Sequence, residues 1–215
     1  MMPSDREEVA EFFREGLDPL LIPFGFHFDS QRLQYRRKSE GGNTNITLSL
    51  AGSGIYTIEL HLGARHDLTE NLIGQITFNT ADFSPYSNTI STSMAKLINH
   101  PFARYSLSDY TTADQALDEL KNFLQTHGLP FLDDTSKPDR IHALLNHNPA
   151  SANPYVFNQT YRCFRGLAIA RYVQSGRVTE LYKAYKEQLV ELGTNEILGQ
   201  KFDALYNHLR SVSLN

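Results

Sequence analysis

The sequence predicts an α+β fold, with an amino-terminal helix packed on an antiparallel β-meander and a carboxy-terminal helical region after it. Three observations predict it. Residues 44–51 and 55–62 alternate apolar and polar side chains on either side of Gly52-Ser53-Gly54, the pattern of an antiparallel hairpin with one face on a core. Ahead of that hairpin, Val9, Phe12, Phe13 and Leu20 recur at helical spacing. Beyond Pro154, Val178, Leu181, Tyr182, Tyr185, Leu189 and Leu192 fall within one arc roughly 100° wide.

Taken in order, Ser4 and Glu7 form a capping box for a helix over residues 5–20, because each side chain can satisfy an unpaired amide at the helix start. Pro23 and Gly25 end it. Phe26 and Phe28 open the sheet, and Leu33 and Tyr35 alternate with Arg32, Gln34 and Arg36 as a further strand before the turn at 40–43. The hairpin follows. Residues 75–80 read as another strand, 82–92 as a loop, 93–99 as a short helix stopped before Pro101, and 103–107 as a short strand. Thr112, with Gln115 three residues on, caps a helix with the stripe Ala116, Leu117, Leu120, Phe123 and Leu124, and Gly128 is its stop. The run 133–138 reads as a linker, with Pro138 at the first position of a short helix. It divides the chain into an α+β domain at 1–135 and a helical subdomain at 136–215, whose short turns imply antiparallel neighbours.

Composition narrows the function classes. The chain has 215 residues with 40% hydrophobic and 20% charged side chains, which suits a globular protein with a real core. A formal net charge of −4 argues against a dedicated nucleic-acid binder. The single cysteine, Cys163, cannot close an internal disulfide. No secretory leader and no apolar run of about 18 residues is visible, so the expectation is a cytoplasmic protein with no membrane span.

The order of features also carries a resemblance. An opening helix leads through Pro23-Phe24-Gly25-Phe26 into a meander, and a later helix ends in Gly128-Leu129-Pro130-Phe131-Leu132. Over roughly residues 10–145 this resembles a bacterial family of uncharacterised domains of unknown function, some encoded near polymorphic-toxin clusters. Members often carry lysines after the Gly-Phe pair, where this chain has His27, Phe28 and Asp29. The family has no assigned catalytic residues to carry over. The resemblance implies a bacterial, non-enzymatic protein of an immunity-type or partner-binding kind, and the leading expectation is a protein that binds a partner in an immunity-type or regulatory role.

The candidate site residues lie on the polar face of the sheet. Arg32, Arg36 and Lys38 project from one strand beside Asn45, Thr47 and Ser49 on the next, and Glu59 and His61 extend the face. Such a basic, amide-rich surface can grip an acidic protein partner or a phosphate; the structural alternative is an exposed face whose charges discourage edge pairing. A second reading gathers Glu59, His61, His66 and Asp67 as a metal-assisted hydrolase site, against which stands the lack of a ligand set forced by spacing. No catalytic residue, metal or cofactor is therefore assigned. His27, His100, His127, His142, His147 and His208 read as structural. Arg171 falls on the apolar arc of Phe157, Phe164, Leu167 and Ala168, so it must pair with an acid such as Glu180 or Glu187, or face a ligand. Tyr155, Tyr161, Arg162, Arg165 and Tyr172 suit RNA stacking, but helix-core packing accounts for the aromatics, and no nucleic-acid partner is expected.

Overall fold

The computed structural model describes residues 5–77, 84–100 and 103–211. Helix α1 (Arg6–Leu21) is followed by four strands, β1 (His27–Asp29), β2 (Gln34–Ser39), β3 (Gly42–Ser53) and β4 (Ile55–His66). Helix α2 (Asp67–Thr77), β5 (Ile90–Ser93), α3 (Met94–Leu97) and β6 (Tyr105–Leu107) come next. The rest is helical: α4 (Tyr110–Phe123), α5 (Leu129–Thr135), α6 (Pro138–Asn146), α7 (Gln159–Tyr172), α8 (Val178–Glu191) and α9 (Glu196–Ser211). The strands lie in the order β1-β2-β3-β4-β5, with β6 also on β4. The short strands pair antiparallel, Phe28 opposite Tyr35 and Thr57 opposite Ser106. The α+β class, the meander and the helical carboxy-terminal region are as the sequence predicts.

Two compact units share the chain. The first comprises 1–39, 43–64 and 92–134; the second comprises 40–42, 65–91 and 135–215. In the first, Val9, Phe13, Leu17 and Leu21 of α1 are buried with the inward row Ile46, Leu48, Tyr56, Ile58, Leu60 and Leu62. Helix α4 adds Ala116, Leu117, Leu120 and Phe123 to the same core. In the second, α7 is the central helix, touching α2, α6, α8 and α9. Its Phe164 and Leu167 pack with Leu181, Tyr185, Phe202 and Leu205.

Several local expectations are corrected. Ser4 lies outside the described residues; the cap of α1 is Asp5, whose carboxylate accepts from the Glu7 amide. Arg32 sits in a turn and not in β2, because Leu33 takes a positive φ of 49° and breaks the alternation. Of the strand expected over 75–80, residues 75–77 instead end helix α2, and 78–80 lie outside the described residues. The Thr77 hydroxyl bonds back to the Ile73 carbonyl within the helix. Strand β5 falls in the stretch read as loop. Helix α4 begins three residues early, since Asp109 is its cap and Thr112 completes the box from inside.

Gly128 does not stop that helix. The chain passes through a π-helical turn over Leu124–Gly128 and continues as α5. Pro130 has no amide to give the preceding turn, and the widened turn lets Leu129 donate to Leu124 instead. A Cβ on Gly128 would sit 3.0 Å from the Leu124 side chain, tighter than an ordinary contact.

Candidate functional site

In the first unit, strand alternation sets Gln34, Asn45, Thr47, Glu59 and His61 on the sheet face away from α1. Their surroundings differ from an open polar face. Gln34, Asn45 and Glu59 are buried, the last two at 2% and 8% exposure. The Gln34 amide donates to the Thr47 hydroxyl at 2.9 Å and to Asn45 at 3.4 Å. The Glu59 carboxylate accepts from Arg104 at 2.8 Å and lies 3.8 Å from His61. Burial alone would push the Glu59 carboxyl up. Hydrogen bonds from Arg104 and Ser93, with the charges of His61 and Arg104, outweigh it and hold the carboxyl below its ordinary value.

The predicted partner-binding residues therefore divide. Asn45 and Glu59 are buried and engaged, Asn45 with Gln34 and Glu59 with Arg104, while Arg36 and Lys38 stay on β2, half-buried and exposed respectively. Arg32, Thr47 and His61 come together. They line one open cleft of about 510 Å³ with Arg6, Glu7, Ser49 and the 47–50 stretch of β3. Arg6, from the first turn of α1, is the member that sequence reasoning missed; nothing in its spacing links it to the hairpin.

The second unit holds the other acid-base residues. Arg65 is 5% exposed and spends its donors on Asp67 (2.6 Å), Asn71 (2.8 Å) and the Ser87 hydroxyl (2.7 Å). Glu70, with a side chain 2% exposed, is bonded by both arms of Arg165 at 2.8 and 3.0 Å. Burial would raise the Glu70 carboxyl, but the Arg165 charge and hydrogen bonds, with Ser87 and Thr89, hold it below its usual range. The four residues of the hydrolase reading thus fall into two sets, Glu59 with His61 and His66 with Asp67, each already engaged. Among the described residues no three His, Cys, Asp or Glu side chains cluster as metal ligands.

His66 is 1% exposed, with Nδ1 2.9 Å from the Thr69 hydroxyl and its ring edge against Tyr172. Its Nε2 has no hydrogen-bond partner among the described residues. Burial holds this imidazole below its ordinary value; Asp67 and Glu70 oppose that effect and Arg65 adds to it. A free histidine titrates near pH ~6.5. As pH falls through that value, the unfolded chain gains a proton that the folded chain refuses, so stability falls with pH. NMR titration of the His66 ring is expected to show a midpoint below 6.5; a midpoint at or above it contradicts this account.

Neither Glu180 nor Glu187 is the partner of Arg171. Glu180 is exposed and bonded by Arg177 at 2.7 Å on its own helix, and Glu187 is exposed. Arg171 donates from Nε to the Leu209 carbonyl at 2.8 Å, at the end of α9, where a cation is favoured. It borders a largely apolar cleft of about 380 Å³ with Leu68, Leu72, Tyr172 and His208. Phe157, assigned to its arc, precedes α7 and is 95% exposed. The buried arginine of α7 is Arg162, at 1% exposure.

Among the described residues no helix is long and apolar enough to cross a membrane. Compared with protein-family models, curated proteins and solved structures, the chain matches none of them.

Proposed function

We propose that this protein is a non-catalytic binding module whose cleft on the first unit takes an acidic segment of a partner protein. The observation that carries the reading is the lining of that cleft: Arg6, Arg32 and His61 around the hydroxyls of Thr47 and Ser49, with Glu7 as its acid. Arginines beside neutral donors suit carboxylates, and exposed rim charges steer encounter more than they add affinity. A non-catalytic role is supported by the commitment of the acids, Glu59 to Arg104 and Glu70 to Arg165. The resemblance given above implies the more specific form, a bacterial immunity-type or regulatory protein, and a toxin gene beside the coding sequence would support it.

The test is fluorescence anisotropy with a labelled glutamate-rich peptide at low and high salt. Binding should weaken with salt, and the double substitution Arg6→Glu with Arg32→Glu should lower affinity about tenfold or more, equivalent to ~1.4 kcal/mol. Equal binding by the double variant and the unmodified protein, with matching circular dichroism, overturns the reading.

A further inference from the structure

Strand β3 spans Gly42–Ser53, twice the length of its outer neighbour β2, Gln34–Ser39. On that side the Leu48 amide donates to the Leu33 carbonyl at 2.8 Å, and there the partner chain leaves. In an antiparallel ladder every second residue turns its amide and carbonyl to the same neighbour. Leu50 therefore presents both groups to the side that β2 has vacated. Gln31 would face it if β2 continued, but Gln31 gives its amide to the Asp29 carboxylate at 3.1 Å within the turn.

The cleft described above lies along this edge. Its lining includes four consecutive residues, Thr47, Leu48, Ser49 and Leu50. Successive strand side chains point to opposite faces, so a cavity that touches all four looks onto the rim of the sheet and not onto one face. Ala10 of α1 and His61 of β4 also border it. Open edges are ordinarily guarded by lysine, proline or inward charges. The stretch Ser49-Leu50-Ala51-Gly52-Ser53 has none of these, and all but Leu50 are exposed.

We propose that the outer edge of β3 from Ser49 to Ser53 accepts an extended acidic segment of the partner protein as an added strand. This rests on the reading of the cleft given above and specifies how the partner binds. Backbone hydrogen bonds supply affinity in such strand addition, and flanking side chains select the sequence. Arg6 and Arg32 select for acids. They also disfavour a second copy of this chain on the same edge, because an isologous pairing repeats each patch against its mate.

The probe is a fluorescein-labelled Thr-Glu-Val-Glu-Val-Glu-Thr peptide in three forms: unmodified, N-methylated at odd positions, and N-methylated at even positions. The two methylated forms stiffen the peptide alike but block opposite edges of its strand. One should lose about tenfold or more in affinity, and the other should stay within about twofold of the unmodified peptide. Equal affinity for both methylated forms overturns strand addition while leaving the cationic cleft as a binding site. Sedimentation that shows a dimer displacing the peptide overturns it in favour of self-pairing. Failure of all three forms to bind, with no effect of Arg6→Glu and Arg32→Glu, overturns the cleft reading as well.

Discussion

Replacing Arg162 by methionine is expected to destabilise the second unit by roughly 1–3 kcal/mol, read as a lowered urea midpoint. Arg162 lies in the first turn of α7 and its guanidinium is enclosed. It donates to the carbonyls of Leu145 (3.0 Å), Asn148 (2.6 Å) and Pro149 (3.3 Å), and to that of Ser151. These are the carbonyls that the end of α6 and the following loop leave without helical partners. Methionine fills much of the volume and supplies no donor, so the buried Leu145 carbonyl is left with the Tyr185 hydroxyl alone and the loop carbonyls of Asn148, Pro149 and Ser151 lose their common donor; loss of such bonds costs about 1–3 kcal/mol. Lysine should not rescue, because one ammonium on a flexible stem cannot replace a planar fork spread over four acceptors. A midpoint within error of the unmodified protein would show that water reaches these carbonyls.

Arg165→Met should cost more, ~3–5 kcal/mol, for a different reason. It leaves Glu70 enclosed with its charge and without its cation. The same substitution combined with Glu70→Leu should recover most of the loss, since an ion pair exchanged for apolar groups is often near neutral. The pH dependence follows from the depressed Glu70 carboxyl. Unfolded glutamate titrates near ~4.3. The pair's contribution is therefore complete above that value and is lost as pH falls through the lower folded value. In Arg165→Met the orphaned carboxyl should take up its proton at higher pH, moving acid unfolding upward. If acid unfolding is unchanged, Glu70 does not keep its charge through Arg165.

The buried charges also show where the sequence was legible. Helix α7 was read as one apolar arc, and Arg171 stood out on it. In the structure residues 162–164 and 166–170 are all buried, so the helix has no solvent face over most of its length. Arc reasoning presupposes such a face, and without one it does not single out Arg162. Arg171 near the helix end reaches a carbonyl, while Arg162 carries the enclosed charge. The partner of Arg165 lies 95 residues earlier in the chain, and no local pattern can encode a contact across that separation.

On the candidate site the division is similar. The alternation of residues 44–51 and 55–62 was enough to assign the two faces of the hairpin, because a strand's side-chain period is two and a core tolerates only one face. By itself, then, the sequence determined the α+β class, the meander, the inward apolar row and the residues of the polar face. Only the tertiary structure decided that Asn45 and Glu59 on that face are enclosed, that Arg6 joins Arg32, Thr47 and His61, and that β3 outruns β2. The periodicities of helix and strand are local, written within a few residues. Burial of a polar group, assembly of a cleft and vacancy of a strand edge depend on where distant segments stop, and that is settled only when they pack.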